Sequence, residues 1–254
     1  MLGAVRAVNA EIPNGRCFQA FHAVLCGKKS PMRTFIFDMD GTLADTMPTH
    51  QLAWDALLPE LGIELDRDEF FSWSAGLTNR EIFPRLLGQD ISVDEINRLS
   101  DHKESLFRKL YQPQMSTITG AEAFLQRTTA AGYRRGVGTA APPLNVDLVL
   151  DGLDLRRHFE TVVCNADVKR GKPDPEIFLL AAERLGAHPA DCVVFEDAPA
   201  GIEAARRAGM ACVVVTTTLT REQFAALDDT RHVVQLVEDF TDPALATLFL
   251  SATR

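Results

Sequence analysis

From Thr34 onward the apolar positions alternate between two textures. Short runs of β-branched, aromatic and small residues fall at Thr34–Asp38, Arg135–Thr139, Thr161–Cys164, Cys192–Phe195 and Ala211–Val215, with a weaker run at His232–Leu236. Their nearly continuous apolar character predicts strands buried on both faces, the habit of a parallel sheet. The stretches between them carry helix punctuation. Thr119 with Glu122 forms a capping-box pattern, and Gly132 stands where that helix would end. Asp174-Pro175 precedes Ile177, Ala181 and Leu185, which share one helical face, and Gly209 closes a helix that begins near Pro199. This β-α-β rhythm predicts an α/β fold, a doubly wound parallel sheet of Rossmann-like type.

One interval breaks the rhythm. Between the first strand and Thr119 no strand is expected, while Pro48–Glu60, Asn79–Leu87 and Ser92–Tyr111 read as helices. Ser92 and Glu95 repeat the capping-box spacing, and Ile96, Leu99, Leu106 and Leu110 supply an apolar stripe. The expected organisation is a small all-helical domain, 48–115, inserted after the first strand of a core built from 32–47 and 116–254. An insertion at that point overhangs the carboxyl ends of the strands, where open α/β sheets bind ligands.

Residues 1–31 differ from the rest. Pro13, Gly15 and Gly27 surround a short apolar piece, FQAFHAVLC, which is followed by Lys28 and Lys29. Arg6, Asn9 and Glu11 interrupt the start, so the basic opening and unbroken apolar centre of a secretory signal are missing. Two readings stay open: a poorly ordered extension, or the product of an upstream start codon ahead of Met32. A transit peptide ranks below both, because the stretch is poor in serine.

Composition narrows the classes. Of 254 residues, 46% are hydrophobic, enough for a sizeable core without a metal staple or disulfide framework. With 26 basic against 35 acidic residues the formal charge is −9, which disfavours nucleic acid and anionic membranes as partners. No apolar run approaches the roughly 18–20 residues a bilayer requires. Cys17, Cys26, Cys164, Cys192 and Cys212 are odd in number and form no C-x-x-C pair, and read as buried thiols in a reducing cytoplasm.

Chemistry gathers at the strand ends. The first strand runs into Asp38-Met39-Asp40-Gly41-Thr42, with two carboxylates that project the same way in extended backbone before a glycine turn. Adjacent carboxylates repel unless a cation or proton lies between them; alone, the pair would also serve as turn or capping aspartates. The second strand ends at Thr139, whose hydroxyl and following amides suit an anion. After the third come Lys169, Arg170 and Lys172, and the fourth presents Glu196 and Asp197 at its tip. Each has an ordinary structural use by itself. On one edge of one sheet, the carboxylates, hydroxyl and cation fit a divalent metal, with Mg²⁺ favoured by hard oxygen ligands, and a phosphoryl group.

The order DMDGT, Thr139, Lys172 in K-P-D-P, then Glu196-Asp197 resembles the haloacid dehalogenase superfamily over roughly Thr34–Thr218. The helical insertion resembles that of its β-phosphoglucomutase-like branch. DTMPTHQLAW and CVVFEDAPAGIEAARRAGM are similar to segments of its sugar-phosphate phosphatases, those acting on fructose 1-phosphate included. The resemblance implies Asp38 as nucleophile and metal ligand, and Asp40 as acid and base, contributing its carbonyl to Mg²⁺. It implies Asp197 as a metal ligand, Glu196 as a ligand or its partner, and Thr139 and Lys172 as the grip on the phosphoryl group. His50 and Arg80 match substrate-facing positions of the insertion, Arg80 with an offset of one residue.

Ala141, Pro142 and Pro143 stand where mutases of this branch carry polar and basic residues, with Asn145 as a partial substitute. The expected function is therefore a Mg²⁺-dependent phosphatase of a small sugar phosphate or related phosphomonoester, cytoplasmic, and monomeric or weakly homo-oligomeric. β-Phosphoglucomutase is the alternative, and a catalytically silent sensor on the same scaffold the third.

Overall fold

The structure, a computed structural model, describes residues 33–74 and 77–250. The expected extension at 1–31, with Cys17 and Cys26, lies outside the described residues. Six strands form one sheet: β1 (Thr34–Phe37), β2 (Arg134–Gly138), β3 (Thr161–Val163), β4 (Cys192–Glu196), β5 (Ala211–Val215) and β6 (Val233–Val237). Their order is β3-β2-β1-β4-β5-β6, and every neighbouring pair is parallel. The chain winds outward from β1 to β3, then crosses back to β4. That reversal opens a crevice beyond the ends of β1 and β4.

Side chains alternate across the sheet, so each strand feeds two cores. Phe35 and Phe37 of β1, with Val193 and Phe195 of β4, enter a layer shared with α5 (Ala121–Ala130) and α6 (Pro143–Gly152). Ile36 and Val194 enter the opposite layer with α7 (Glu176–Arg184) and α8 (Pro199–Arg207). Phe37 and Phe195 stack at 4.5 Å between ring centroids, and Phe35 and Phe124 meet Phe195 at 5.2 and 5.4 Å. These rings lie directly behind Asp38 and Glu196 in sequence, so the floor of the crevice is dry and close-packed.

Four helices occupy the interval after β1: α1 (Met47–Glu60), α2 (Arg67–Ser74), α3 (Asn79–Leu87) and α4 (Val93–Tyr111). They share a separate apolar cluster that includes Trp54, Leu57, Phe70, Phe83, Ile96 and Leu99. α2 has no counterpart among the expected helices. It is short, with aromatics at Phe70, Phe71 and Trp73, and Asp66 caps it by accepting from the Glu69 N–H at 2.9 Å. The entry and exit of the interval are tied together: Ala44 pairs antiparallel with Thr117, the Ile118 N–H donates to Leu43 and the Asp45 N–H to Ser116, both at 3.0 Å.

Several details depart from the sequence reading. The Thr119–Glu122 box does not form; Gly120, at φ +77°, caps α5, and Glu122 pairs with Arg157. Ser92 does accept from the Glu95 N–H, but the Glu95 carboxylate turns to Arg98 instead of back to the cap. Leu110 is 36% exposed; the inward stripe of α4 continues through Lys103, Phe107 and Tyr111. Helix α7 starts one residue later than expected, with Asp174 accepting from the Glu176 N–H at 3.0 Å.

A polar seam joins α4 to the sheet layer. Buried Asn145, in the first turn of α6, donates to Glu104 at 2.5 Å and accepts from Arg108 at 2.9 Å. The other Glu104 oxygen accepts from Lys103 at 3.0 Å and Asn79 at 2.8 Å. Burial would lift the Glu104 carboxyl, but the charges of Lys103 and His50 and these hydrogen bonds outweigh it and hold it down at about 2.

Two measurements probe this architecture. Phe195→Ala removes the central ring of the aromatic layer and is expected to lower stability by about 3–5 kcal/mol in urea denaturation. Glu104 titrates lower in the folded state than in the unfolded chain, so its contribution is complete above about pH 4.5 and lost as pH falls towards 2. Glu104→Gln is accordingly expected to destabilise the protein at pH 7 by up to about 3 kcal/mol, with the gap to the wild type closing across that acid window in thermal unfolding.

Candidate active site

β1 delivers Asp38 to the crevice, where its N–H makes the last ladder bond, to the Phe195 carbonyl at 2.9 Å. The chain then turns sharply. Gly41 adopts φ +76°, and a Cβ there would overlap the Asp197 carboxylate, so both conformation and space demand glycine. β4 delivers Glu196 and Asp197 alongside. The loop after β3 brings in Lys172, only 2% exposed, with Nζ 2.6 Å from Asp38 Oδ1 and 2.7 Å from Glu196 Oε1. Glu196 Oε2 accepts from the Asp197 and Ala198 N–H groups at 2.7 and 2.8 Å, just before the first turn of α8. Asp197 accepts from Thr42 at 2.9 Å and from Thr218.

The electrostatics are strained towards a missing positive charge. Burial, with the nearby charges of Glu196 and Asp40, pushes Asp38 up to about 7 despite Lys172. Burial and the charges of Glu196 and Asp38 lift Asp197 well above the usual carboxylate range, against the hydroxyls of Thr218 and Thr42. Lys172 is desolvated, yet its two carboxylate partners raise it and keep it charged. One lysine thus serves a pocket holding Asp38, Glu196 and Asp197.

Asp40 has different surroundings. Its Oδ1 is buried without a hydrogen-bond partner and lies 3.5 Å from Nε2 of His50 on α1. The His50 ring stacks on Phe107 at 3.8 Å and 3°, while its Nδ1 lies 2.8 Å from Lys103 Nζ. Asp38 and Asp40 line the same cleft, but one faces the lysine and the other the inserted helices. Thr139 is buried at the end of β2. Its Oγ accepts from the Ala141 N–H at 3.1 Å, leaving the hydroxyl proton for another acceptor.

The cleft has a volume of 2020 Å³ and runs between the strand ends and the inserted helices. Not every expected residue joins the cluster. Lys169 and Arg170 are exposed; Arg170 pairs with Asp174, and only Lys172 of that basic trio turns inward. Arg80 is exposed on α3 and reaches Asn97 at 3.4 Å, on the wall of the cleft and apart from the carboxylates. Asn145 cannot substitute for a missing phosphate donor, because Glu104 and Arg108 occupy its amide. Conversely, Thr42, Thr218, Lys103 and Glu104 belong to the site's framework without having been singled out. Lys103 had one visible signal, a charge between Leu99 and Phe107 at helical spacing on a face that is otherwise apolar.

Among the described residues no three His, Cys, Asp or Glu side chains form a closed metal cage, since Lys172 stands between Asp38 and Glu196. The donor set still fits a hard cation. It consists of oxygens, and two of its carboxyls, Asp38 and Asp197, are pushed up by burial and by their acidic neighbours, a repulsion that a cation would relieve.

The sequence pattern of haloacid dehalogenase-like hydrolases matches residues 32–209. The fructose-1-phosphate phosphatase of Escherichia coli is 36% identical over 185 residues, covering 71% of this chain and 94% of that one. The β-phosphoglucomutase of Bacillus subtilis is 32% identical over 195 residues, with 72% and 83% covered. The crystal structure of β-phosphoglucomutase from Clostridium difficile superposes with a TM-score of 0.73 at 26% identity, covering 85% of this chain and 96% of that one. The matched span takes in every residue of the cluster from Asp38 to Asp197, and the chain belongs to the haloacid dehalogenase-like hydrolases.

Proposed function

We propose that this chain is a phosphatase that hydrolyses a small sugar phosphate or related phosphomonoester, with Mg²⁺ as cofactor and the inserted helices as the cap that encloses the substrate. The observation that carries the reading is the division of labour at the end of β1. Asp38 is desolvated and paired with Lys172, whereas Asp40 has a free oxygen turned towards the cap. Two carboxylates in different environments suit two different roles.

Asp38 attacks the phosphorus, forming an aspartyl-phosphate as the ester P–O bond breaks. Asp40, protonated, delivers its proton to the leaving alkoxide oxygen. A water then attacks the aspartyl-phosphate while Asp40 takes one of its protons, releasing inorganic phosphate and restoring the Asp38 carboxylate. Thr139 donates to a phosphoryl oxygen, and Lys172 balances the charge that develops on it. Asp38, the Asp40 carbonyl and Asp197 would hold Mg²⁺, with Glu196 as a further ligand or as the support of Lys172. When bound, the ion supplies positive charge to the phosphoryl oxygens and to the crowded carboxylates.

Hydrolysis is favoured over mutase chemistry by the loop after β2. Ala140, Ala141, Pro142 and Pro143 present no side-chain donors, and Asn145 is engaged elsewhere. A mutase must keep a doubly phosphorylated intermediate while its ends exchange, and this loop gives the distal end little to hold. The name of the Escherichia coli relative, a fructose-1-phosphate phosphatase, fits hydrolysis, while that of the Bacillus subtilis relative fits the mutase alternative. The proposed setting is the cytoplasm, as a monomer or weak homo-oligomer. No helix among the described residues is long and apolar enough to cross a membrane.

The direct test is phosphate release from a panel of hexose and pentose phosphates, with and without EDTA. Release is expected to need Mg²⁺ and to fall by about a thousandfold or more in Asp38→Asn; metal-independent release, or full activity in the variant, refutes the reading. A coupled assay for glucose 6-phosphate from β-glucose 1-phosphate, with glucose 1,6-bisphosphate added, should give free phosphate as the main product. The cradle of Glu196 offers a second test. Gly201→Ala ordinarily favours a helix by up to about 1 kcal/mol, but a Cβ at Gly201 would overlap the Glu196 carboxylate. The variant is expected to keep its helical circular dichroism while losing about tenfold or more in kcat/KM.

A further inference from the structure

The cleft contains a cation that the chemistry above does not use. Arg108 is half-buried on α4 and lines the cleft together with Thr139, Pro142 and Pro143. Among the described residues its guanidinium has one hydrogen bond, from Nη1 to Asn145 Oδ1 at 2.9 Å, and no carboxylate partner. The other arginines of the cleft wall differ. Arg67 pairs with Asp55, Arg170 with Asp174 and Arg207 with Glu203, while Arg80 is exposed. A partly desolvated guanidinium with most of its five donors unused is costly unless an anion completes it.

Its immediate surroundings do not supply that anion. Glu104 is the nearest carboxylate in the hydrogen-bond chain, but its oxygens are taken by Lys103, Asn79 and Asn145. On the α4 side of the cleft Lys103 and Arg108 stand with Asp101 and Glu104, and of the two cations Arg108 is the one without a carboxylate partner. Asn145, pinned by Glu104, accepts from one nitrogen of the guanidinium and anchors that end of the side chain. The loop beneath is Ala140 to Pro143, without side-chain donors, so a substrate group lying over it finds its charged contact on α4.

We infer that Arg108 is a specificity-determining residue that receives an anionic group, carboxylate or second phosphate, at the end of the substrate remote from the reacting ester. This rests on the phosphatase reading and names the substrate class within it: phosphorylated sugar acids or bisphosphates ahead of neutral-ended sugar phosphates.

The test compares matched esters, 6-phosphogluconate against glucose 6-phosphate and fructose 1,6-bisphosphate against fructose 1-phosphate, in wild type, Arg108→Ala and Arg108→Lys. Wild type is expected to favour the anionic member of at least one pair, which also tells carboxylate from phosphate. Arg108→Ala should erase that preference by about tenfold or more, chiefly through KM, and Arg108→Lys should restore part of it. No preference in wild type, or an equal loss on both members in Arg108→Ala, overturns the inference and leaves Arg108 as a fastener between α4 and α6. Turnover of p-nitrophenyl phosphate by wild type reports the chemistry separately, so its absence counts against the phosphatase reading alone. In that event, calorimetric binding of 6-phosphogluconate to Asp38→Asn, with and without Arg108→Ala, decides the contact: an unchanged affinity overturns it.

Discussion

The site depends on burying like charges next to one another. Asp38, Glu196 and Asp197 arrive from two adjacent strands at the point where the sheet reverses direction, and the rings of Phe37 and Phe195 exclude water from below. Such a cluster is tolerated because Lys172 crosses from the β3 side and bonds two of the carboxylates, while backbone N–H groups and threonine hydroxyls satisfy much of the remainder. The arrangement is stable enough to exist and still short of positive charge. On the proposed reading, a bound cation would offset the repulsion among these carboxylates.

Around this centre the fold divides its duties. The sheet holds the reacting groups on rigid strand ends, where rotamers are fixed by packing and by the Gly41 and Gly201 contacts. The inserted helices supply His50, Lys103 and Arg108. These helices share a cluster of their own, yet Ala53, Phe107 and Tyr111 join the cluster of the sheet layer, so the two frameworks meet along the cleft, the Glu104–Asn145 seam and this apolar contact.

Much of this was legible in the order of the residues. The strands could be read because both their faces are buried, which leaves an uninterrupted apolar signature at Cys192–Phe195 and Ala211–Val215. Asp38, Thr139 and the Glu196-Asp197 pair stand out because polar side chains at the ends of such strands are not required by packing, and Lys172 because it follows Lys169 and Arg170 in an otherwise acidic chain. What stayed hidden depends on partners distant in sequence. Lys103 and Glu104 stand among other helix charges in the sequence, and only the fold brings Asn79, His50 and Asn145 around them. Asn145 read as a spare donor because nothing local shows that Glu104 claims it. Helix α2 escaped notice because its aromatics pack against Trp54 from another helix and show no period of their own.

The short bridge between Ala44 and Thr117 has a mechanical corollary. Both ends of the helical insertion leave the core side by side, only a few residues beyond Asp40. Both connections of the insertion therefore adjoin Asp40, the carboxylate to which the proposed mechanism gives the proton. Under that mechanism a tilt of the insertion would register at His50 and Asp40, so that seating a ligand on α4 and aligning the acid would be one displacement.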